Sequence, residues 1–98
     1  ANTAHFRSHV YGRMGAHAEG YRWGRTSVDL SPYTHVNRSN LGYNAMLLGR
    51  YEEAEAVYRD GLELQPGYWR LADNYLWCLI AQGRFDFALS ETERLAES

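Results

Sequence analysis

The 98-residue sequence contains no lysine, one cysteine and two prolines, and it has no long apolar run. The lone Cys78 excludes an internal disulfide, and its neighbours Trp77 and Leu79 indicate a buried structural thiol rather than a reactive one. No segment approaches the roughly 18 consecutive apolar residues that cross a membrane. A signal peptide is not recognisable either, so we expect a cytoplasmic location.

The charged residues are ten arginines and twelve acidic residues, which give a formal net charge of −2. This balance argues against a nucleic-acid partner, because phosphates require a basic surface, and it is compatible with a protein partner. The charge is uneven along the chain. Residues 1–34 hold four arginines against two acidic residues, whereas residues 35–98 hold six arginines against ten acidic residues.

Two short segments of the sequence are nearly the same, namely GRYEEA at 49–54 and GRFDFA at 83–88. Asn40 recurs as Asn74, and Pro32 recurs as Pro66, at the same 34-residue separation. A fixed period of roughly 20 to 50 residues is the signature of a repeat array. Such arrays usually act by offering a surface rather than a catalytic pocket.

Each repeat is predicted to be a hairpin of two amphipathic helices of about 14 residues each. In residues 35–68 apolar residues recur at helical spacing on both sides of Gly49, and Pro66 ends the second helix. Residues 69–98 repeat this plan around Gly83. Residues 1–34 are degenerate, because Gly20 and Gly24 lie within the predicted second helix and each costs roughly 1 kcal/mol relative to alanine. They form either an atypical terminal hairpin or an irregular flanking segment.

These positions resemble the tetratricopeptide repeat family. Residues 35–68 supply the family pattern in order, with Leu41, Gly42, Gly49, Tyr51, Ala54, Tyr58 and Pro66. Residues 69–98 supply Tyr75, Gly83, Phe85 and Ala88, but have Leu76 at a small position and Thr92 at an aromatic one. Residues 1–34 supply Ser8, Tyr11, Gly15, Gly20, Ser27 and Pro32, but have Arg7 at a large apolar position and Gly24 at an aromatic one.

The resemblance implies an all-α fold, a right-handed α-α superhelix (solenoid) of about three helical hairpins. It implies one domain over residues 1–98, with a degenerate repeat at about 1–34, a strong one at 35–68 and a truncated one at 69–98. Because the sequence starts with Ala1 rather than methionine, we expect it to be part of a longer chain.

The resemblance also implies a function, because the first helices of successive hairpins line a concave groove that binds partner peptides in this family. The predicted groove residues are His5, His9, Asn40, Tyr43, Arg70, Asp73, Asn74 and Trp77. Arg70 could hold a carboxylate, Asn40 and Asn74 could pair with a bound backbone, and Tyr43 and Trp77 could form an aromatic ladder. We therefore predict a scaffold module that binds a protein or peptide partner.

Two other functions remain open. The first is a structural stacking or oligomerisation segment with no free peptide ligand, in which Tyr43 and Trp77 pack neighbouring repeats. The second is the clamp that some members of the family use for chaperone C-termini. That clamp uses five side chains. This chain has the same residue at one of these positions, Asn40, and it keeps the positive charge at a second, where Arg70 replaces a lysine.

We predict no catalytic residues, no metal and no cofactor. His5 and His9 are spaced i, i+4 and could share a zinc ion, but a third ligand is missing nearby, so they are predicted to be polar contacts. His17 and His35 fall at turns and are predicted to be solvated. The glutamates of the second helices, including Glu55 and Glu91, are predicted to form a solvated outer face, with Glu55 pairing with Arg59.

The last predicted hairpin carries apolar residues with no following hairpin to cover them, as the sequence stops at Ser98. They are Leu76, Leu79, Leu89 and Leu95. An uncovered apolar patch favours association. We therefore expect either further repeats in a longer chain or self-association.

Overall fold

The computed structural model describes residues 3–97, and these residues form six α-helices and no strand. In chain order the helices are α1 Ala4–Arg13, α2 His17–Leu30, α3 His35–Leu47, α4 Tyr51–Leu64, α5 Trp69–Ala81 and α6 Phe85–Ala96. They pair into a first hairpin (α1 and α2), a second (α3 and α4) and a third (α5 and α6). The predicted all-α repeat architecture is confirmed, and the first hairpin is helical.

The turn inside each hairpin is made by one glycine of the 34-residue repeat. Gly15, Gly49 and Gly83 have φ angles of 82°, 82° and 75°, the left-handed region that side chains disfavour. In the second hairpin the Gly49 N–H donates to Met46 O (3.0 Å) and the Arg50 N–H donates to Ala45 O (2.9 Å). This Schellman arrangement satisfies the last carbonyls of α3 and turns the chain back into α4.

The hairpins stack into a curved solenoid with the first helices inside. α1 packs on α3 and α3 packs on α5, whereas the backbones of α2, α4 and α6 do not approach one another within residues 3–97. Long side chains bridge the outer helices, as where Tyr21 and Arg25 of α2 reach Glu53 Oε2 of α4 at 2.7 and 3.2 Å. Because the first helices pack on one another and the second helices lie apart, α1, α3 and α5 form the inner face of the array.

The second and third hairpins share an apolar core. Its fully buried members include Tyr58, Leu71, Tyr75 and Leu79. Cys78 is also fully buried there, as predicted, and burial raises the pKa of its thiol. Leu71 and Tyr75 of α5 pack against the second hairpin, so the core continues across the junction between the two.

The first junction differs because its core is polar. Ser8, Ser27, Asn37 and Asn44 are buried there. Asn37 Nδ2 donates to Ser27 O (3.0 Å), and Ser8 Oγ donates to Gly20 O (2.8 Å). Buried polar groups are stable only when paired in this way.

The glycines of α2 are close-contact positions rather than defects. A Cβ on Gly20 would lie 2.5 Å from Asn44 Oδ1, and one on Gly24 would lie 3.0 Å from both Leu41 Cα and Ser8 Oγ. The close approach of α3 therefore accounts for both glycines.

The expected uncovered leucines of the third hairpin are only partly exposed. Leu79 is fully buried, so that prediction was wrong, because its side chain faces the core shared with the second hairpin. Leu76 and Leu95 are half-buried, and Leu89 is 68% exposed. Ser98 lies outside the described residues. No helix formed by residues 3–97 has the length and apolar character needed to cross a membrane.

Candidate functional site

The predicted groove residues all lie on the first helices. His5 and His9 lie on α1, and Asn40 and Tyr43 lie on α3. The other four, Arg70, Asp73, Asn74 and Trp77, lie on α5. Their exposure to solvent differs, however. Some of these side chains lie on the surface, whereas others join neighbouring hairpins.

Asn40 and Asn74 hold neighbouring hairpins together. Asn40 Nδ2 donates to His5 O of α1 (3.2 Å), and Asn74 Nδ2 donates to Ser39 Oγ of α3 (3.3 Å). Both side chains are half-buried. The 34-residue recurrence of asparagine, which suggested a ligand contact, therefore reflects a repeated bond between successive first helices.

Three residues with rings recur on the first helices at the 34-residue spacing, namely His9, Tyr43 and Trp77. His9 is exposed, Tyr43 is half-buried and Trp77 is 57% exposed. Tyr43 meets the His17 ring edge-on, with centroids 5.9 Å apart, rather than stacking on Trp77. Tyr43 thus partly packs against the first hairpin, while most of Trp77 is free to contact a ligand.

The most accessible part of the inner face lies at the start of α5. Arg70 and Asp73 are exposed there, one turn apart, and the Arg70 guanidinium carbon lies 5.5 Å from the centroid of the Trp69 ring. Trp69 is 66% exposed and was not predicted as a site residue. Its counterpart in the preceding repeat is His35, so the period gave no second tryptophan, tyrosine or phenylalanine to mark it.

The two histidines at the turns were predicted to be solvated, but both are half-buried. His17 is half-buried and its Nδ1 lies 3.1 Å from Asn44 Oδ1. His35 is half-buried against Tyr68, with ring centroids 3.9 Å apart. Both rings support the junctions between hairpins. Within residues 3–97 no group of three or more histidine, cysteine, aspartate or glutamate side chains could hold a metal ion.

Glu55 and Glu91 also differ from expectation, since each is only 7% exposed. Glu55 pairs with Arg59 (2.7 Å), as predicted, and also with Arg84 (2.8 Å), which ties the second hairpin to the turn of the third. Glu91 accepts hydrogen bonds from Tyr75 Oη (2.5 Å) and Arg94 Nε (2.5 Å). These carboxylates are internal structural groups rather than a solvated outer face.

Replacing Glu91 with glutamine should make the protein less sensitive to acid. The hydrogen bond from Arg94, opposed by burial and reinforced by Tyr75, lowers the pKa of Glu91 in the folded protein. A lowered pKa contributes stability that is present above the unfolded-state value and is lost as pH falls through the folded-state value. The unfolding free energy from urea titrations should therefore decline less in Glu91→Gln than in the wild type between about pH 7 and about pH 3.

The matched control for this change is Glu93→Gln, because Glu93 is exposed on the same helix. Its pH dependence should follow that of the wild type. Equal slopes for Glu91→Gln and the wild type would contradict the assignment of Glu91 as an acid-sensitive anchor.

An apolar cleft opens between α5 and α6 on the far side of the third hairpin. Its volume is about 470 Å³, and its lining is Asp73, Leu76, Trp77, Ile80, Phe85, Ala88, Leu89 and Thr92. We call this surface the end cleft. Trp77 lies at its border with the inner face.

Part of the chain matches a known family. Residues 38–68, which run from the first turn of α3 to the residue before α5, match the model of the tetratricopeptide repeat. No curated protein matches the chain. The matched segment contains Leu41, Gly42, Gly49, Tyr51 and Tyr58, the positions on which the resemblance rested.

Proposed function

We propose that this chain, a tetratricopeptide repeat protein, binds a partner peptide or helix along the inner face formed by α1, α3 and α5. Repeats of this family are generally protein-interaction modules. The proposed role is that of a scaffold, with no catalytic chemistry, no cofactor and no nucleic-acid ligand. A single partner segment lying across the three helices would contact all three hairpins at once.

The observation that carries the proposal is the exposure of Trp77. A tryptophan that is 57% exposed leaves a large apolar surface in water, and burying it against a ligand would recover free energy at about 25 cal/mol per Å². Tryptophan and arginine are also the residue types most enriched at binding hot spots. Trp77 has Arg70 two turns before it on the same helix.

The charged residues of the inner face would orient the partner. Arg70 is exposed and can bind a carboxylate through two parallel N–H donors. Asp73 is exposed one turn later and can accept from a basic side chain or a free backbone N–H. His5 and His9 would add polar contacts on α1. Asn40 and Asn74 are left out of ligand binding, because their amide groups already bond neighbouring helices.

Replacing both Tyr43 and Trp77 with alanine should weaken binding by more than about tenfold, the loss expected when hot-spot aromatics are removed. A random peptide library selected on the immobilised wild-type chain would supply the ligand. Titration calorimetry would then compare the two proteins. Amide shift mapping of the wild-type complex should place the perturbed residues on α1, α3 and α5.

The control is Tyr33→Ala, because Tyr33 is 77% exposed between α2 and α3 and lies off the inner face. It should bind the selected peptide like the wild type. If the Tyr43 and Trp77 double variant loses its thermal transition, these rings have a packing role and the proposal fails. Equal affinity of this variant and the wild type would also refute it.

A further inference from the structure

We propose that the protein associates head to tail with itself, with α1 of one copy seated in the end cleft of the next. The two surfaces involved lie at opposite ends of the array. The α1 side of this contact is separate from the inner face, whereas the end cleft shares Asp73 and Trp77 with it.

The first junction shows how a first helix docks onto the preceding hairpin. α3 presents Asn40 to His5 O (3.2 Å), and Asn44 Nδ2 approaches Ser8 O (3.4 Å). Asn44 also lies against Gly20, where an added Cβ would be only 2.5 Å from its side chain. The helix therefore docks through residues spaced four apart.

The second junction repeats this docking one period later. α5 presents Asn74 to Ser39 Oγ (3.3 Å) and Cys78 Sγ to Tyr51 O (3.5 Å). Gln82, the residue after α5, donates from Nε2 to Glu55 Oε2 (3.4 Å). The first two docking positions recur from the first junction, and Gln82 extends the row by one turn. At both junctions, therefore, residues at equivalent positions of the 34-residue repeat meet each other. We call this the docking rule.

By that rule the docking positions of α1 are Phe6, Val10 and Met14, which precede Asn40, Asn44 and Leu48 by one repeat period. We call these three residues the α1 ridge. They are 62%, 52% and 70% exposed, respectively, although all three are large and apolar. The ridge thus resembles a first-helix docking surface, and no hairpin formed by residues 3–97 covers it.

The receiving positions of the third hairpin are found in the same way. Asp73, Phe85 and Leu89 follow Ser39, Tyr51 and Glu55 by one repeat period, and all three line the end cleft. Phe85 is 60% exposed and Leu89 is 68% exposed. The end cleft is therefore the repeat-equivalent of the two surfaces that α3 and α5 occupy.

The chemistry of the two free surfaces matches. At the first junction an amide-rich helix meets a hairpin of serines and glycines, whereas the α1 ridge and the end cleft are both apolar. Transfer of the docking rule places Phe6 beside Asp73, Val10 beside Phe85, and Met14 beside Leu89. The pairing would bury the large apolar side chains that both ends leave in water.

The charges of the two ends are also complementary. α1 contains Arg7 and Arg13 and no acidic residue. The charged residue that lines the end cleft is Asp73, and Asp86 and Glu93 are exposed on α6. Opposite charges favour α1 against the end cleft, whereas two copies of α1 would repel each other.

The contact joins different surfaces on the two partners, so a dimer keeps one free ridge on one copy and one free cleft on the other. Such a heterologous contact closes into a ring only at particular rotations and otherwise continues as an open chain. Assembly should therefore grow with concentration rather than stop at a dimer.

Sedimentation velocity of the wild-type chain across a wide concentration range tests this. The weight-average mass should rise from that of the 11.3 kDa monomer to beyond that of a dimer. Val10→Asp blocks the ridge and Leu89→Asp blocks the end cleft, so each variant alone should remain a monomer. Mixed together they should form a 1:1 heterodimer and no larger species, because one free ridge meets one free cleft.

Leu30→Asp is the control, since Leu30 is 61% exposed on α2 and belongs to neither surface. It should assemble like the wild type. If circular dichroism shows that a blocking variant is unfolded, Met14→Asp and Phe85→Asp supply a second pair. A wild-type monomer at every concentration would overturn the proposal and assign the two surfaces to other occupants. A failure of the blocked variants to form a heterodimer would also overturn it.

A failure of the proposed self-association can be distinguished from a failure of the proposed peptide binding. Val10 and Leu89 lie off the inner face, so their aspartate variants should keep the affinity of the wild type for the selected peptide. Loss of assembly with peptide binding retained supports head-to-tail contact specifically. Loss of both would indicate a global defect and would contradict the surface assignment.

Discussion

Replacing Gly42 with alanine should destabilise the protein by about 2 kcal/mol, although alanine is the better helix former. In an exposed helix interior this change would stabilise by roughly 1 kcal/mol. Here a Cβ would lie 2.3 Å from Tyr58 Cε1 and 2.5 Å from Cζ, far inside van der Waals contact. The steric cost must therefore exceed the gain in helix propensity.

The Tyr58 ring has little room to move away from such a clash. It is fully buried between α3 and α4, and its hydroxyl has no hydrogen-bond partner among the described residues. Burial raises the pKa of this hydroxyl well above its ordinary value. A displaced ring would have to push against Leu71 and Tyr75, which belong to the same closely packed core.

A double-mutant cycle with Tyr58→Leu tests the contact directly. Leucine removes the ring atoms that the new methyl group would meet, so Gly42→Ala should cost much less in that background. Urea unfolding followed by circular dichroism gives the free energies. Gly67→Ala is the control, because a Cβ on Gly67 would have no neighbour within 4 Å. Equal stabilities of Gly42→Ala and the wild type would contradict the proposed packing.

Replacing Asn44 with alanine should destabilise the protein by about 2–3 kcal/mol, because it breaks the polar core of the first junction. Asn44 is 1% exposed. Its Nδ2 donates to Asn40 O (3.0 Å) and to Ser8 Oγ (3.3 Å), and its Oδ1 lies 3.1 Å from His17 Nδ1. Alanine removes these side-chain bonds and opens a small cavity, and the measurement is the urea unfolding free energy.

The effect of Gly20→Ala should reverse sign with the identity of residue 44. In the wild type its Cβ would lie within 2.5–2.7 Å of Asn44 side-chain atoms, so the change should destabilise. In the Asn44→Ala background the space is free, and alanine should stabilise α2 by up to about 1 kcal/mol. The repeat supports this reasoning, because the equivalent pair at the second junction is Ala54 and Cys78.

Asn40→Ala serves as the control for the loss of one amide. Asn40 is half-buried and its side chain donates one hydrogen bond, to His5 O. Its replacement should cost less than about 1 kcal/mol. If Gly20→Ala destabilises both backgrounds equally, residues 20 and 44 are not coupled and the account of the first junction is wrong.

The 34-residue period predicted the hairpins and their turns because these depend on local chemistry. Gly15, Gly49 and Gly83 were recognisable since a left-handed turn residue is glycine in almost any context. The degenerate repeat was harder to interpret. Gly20 and Gly24 looked like helix-breaking residues, and only the neighbouring α3 shows that they are points of close contact.

The candidate site was predicted less completely than the fold. The position of Trp77 on the inner side followed from the register, but Trp69 had no repeat partner to mark it. Asn40 and Asn74 were assigned to a ligand, because an amide that binds a ligand and an amide that joins two helices recur in the sequence at the same 34-residue spacing. Glu55 and Glu91 were assigned to solvent, since charged residues on an outer helix usually face water.

By itself, the sequence determined the helical hairpins and the glycine turns. Those features follow from backbone preferences and apolar spacing within single segments, whereas the side of the array on which the first helices lie was implied by the family resemblance. Only the tertiary structure decided which recurring residues join hairpins, such as Asn40, and which stay free, such as Trp77. It also decided that the α1 ridge and the end cleft remain exposed. The physical reason is that burial depends on neighbours 27 to 36 residues away, as the contacts of Asn44 with His17 and Ser8 show.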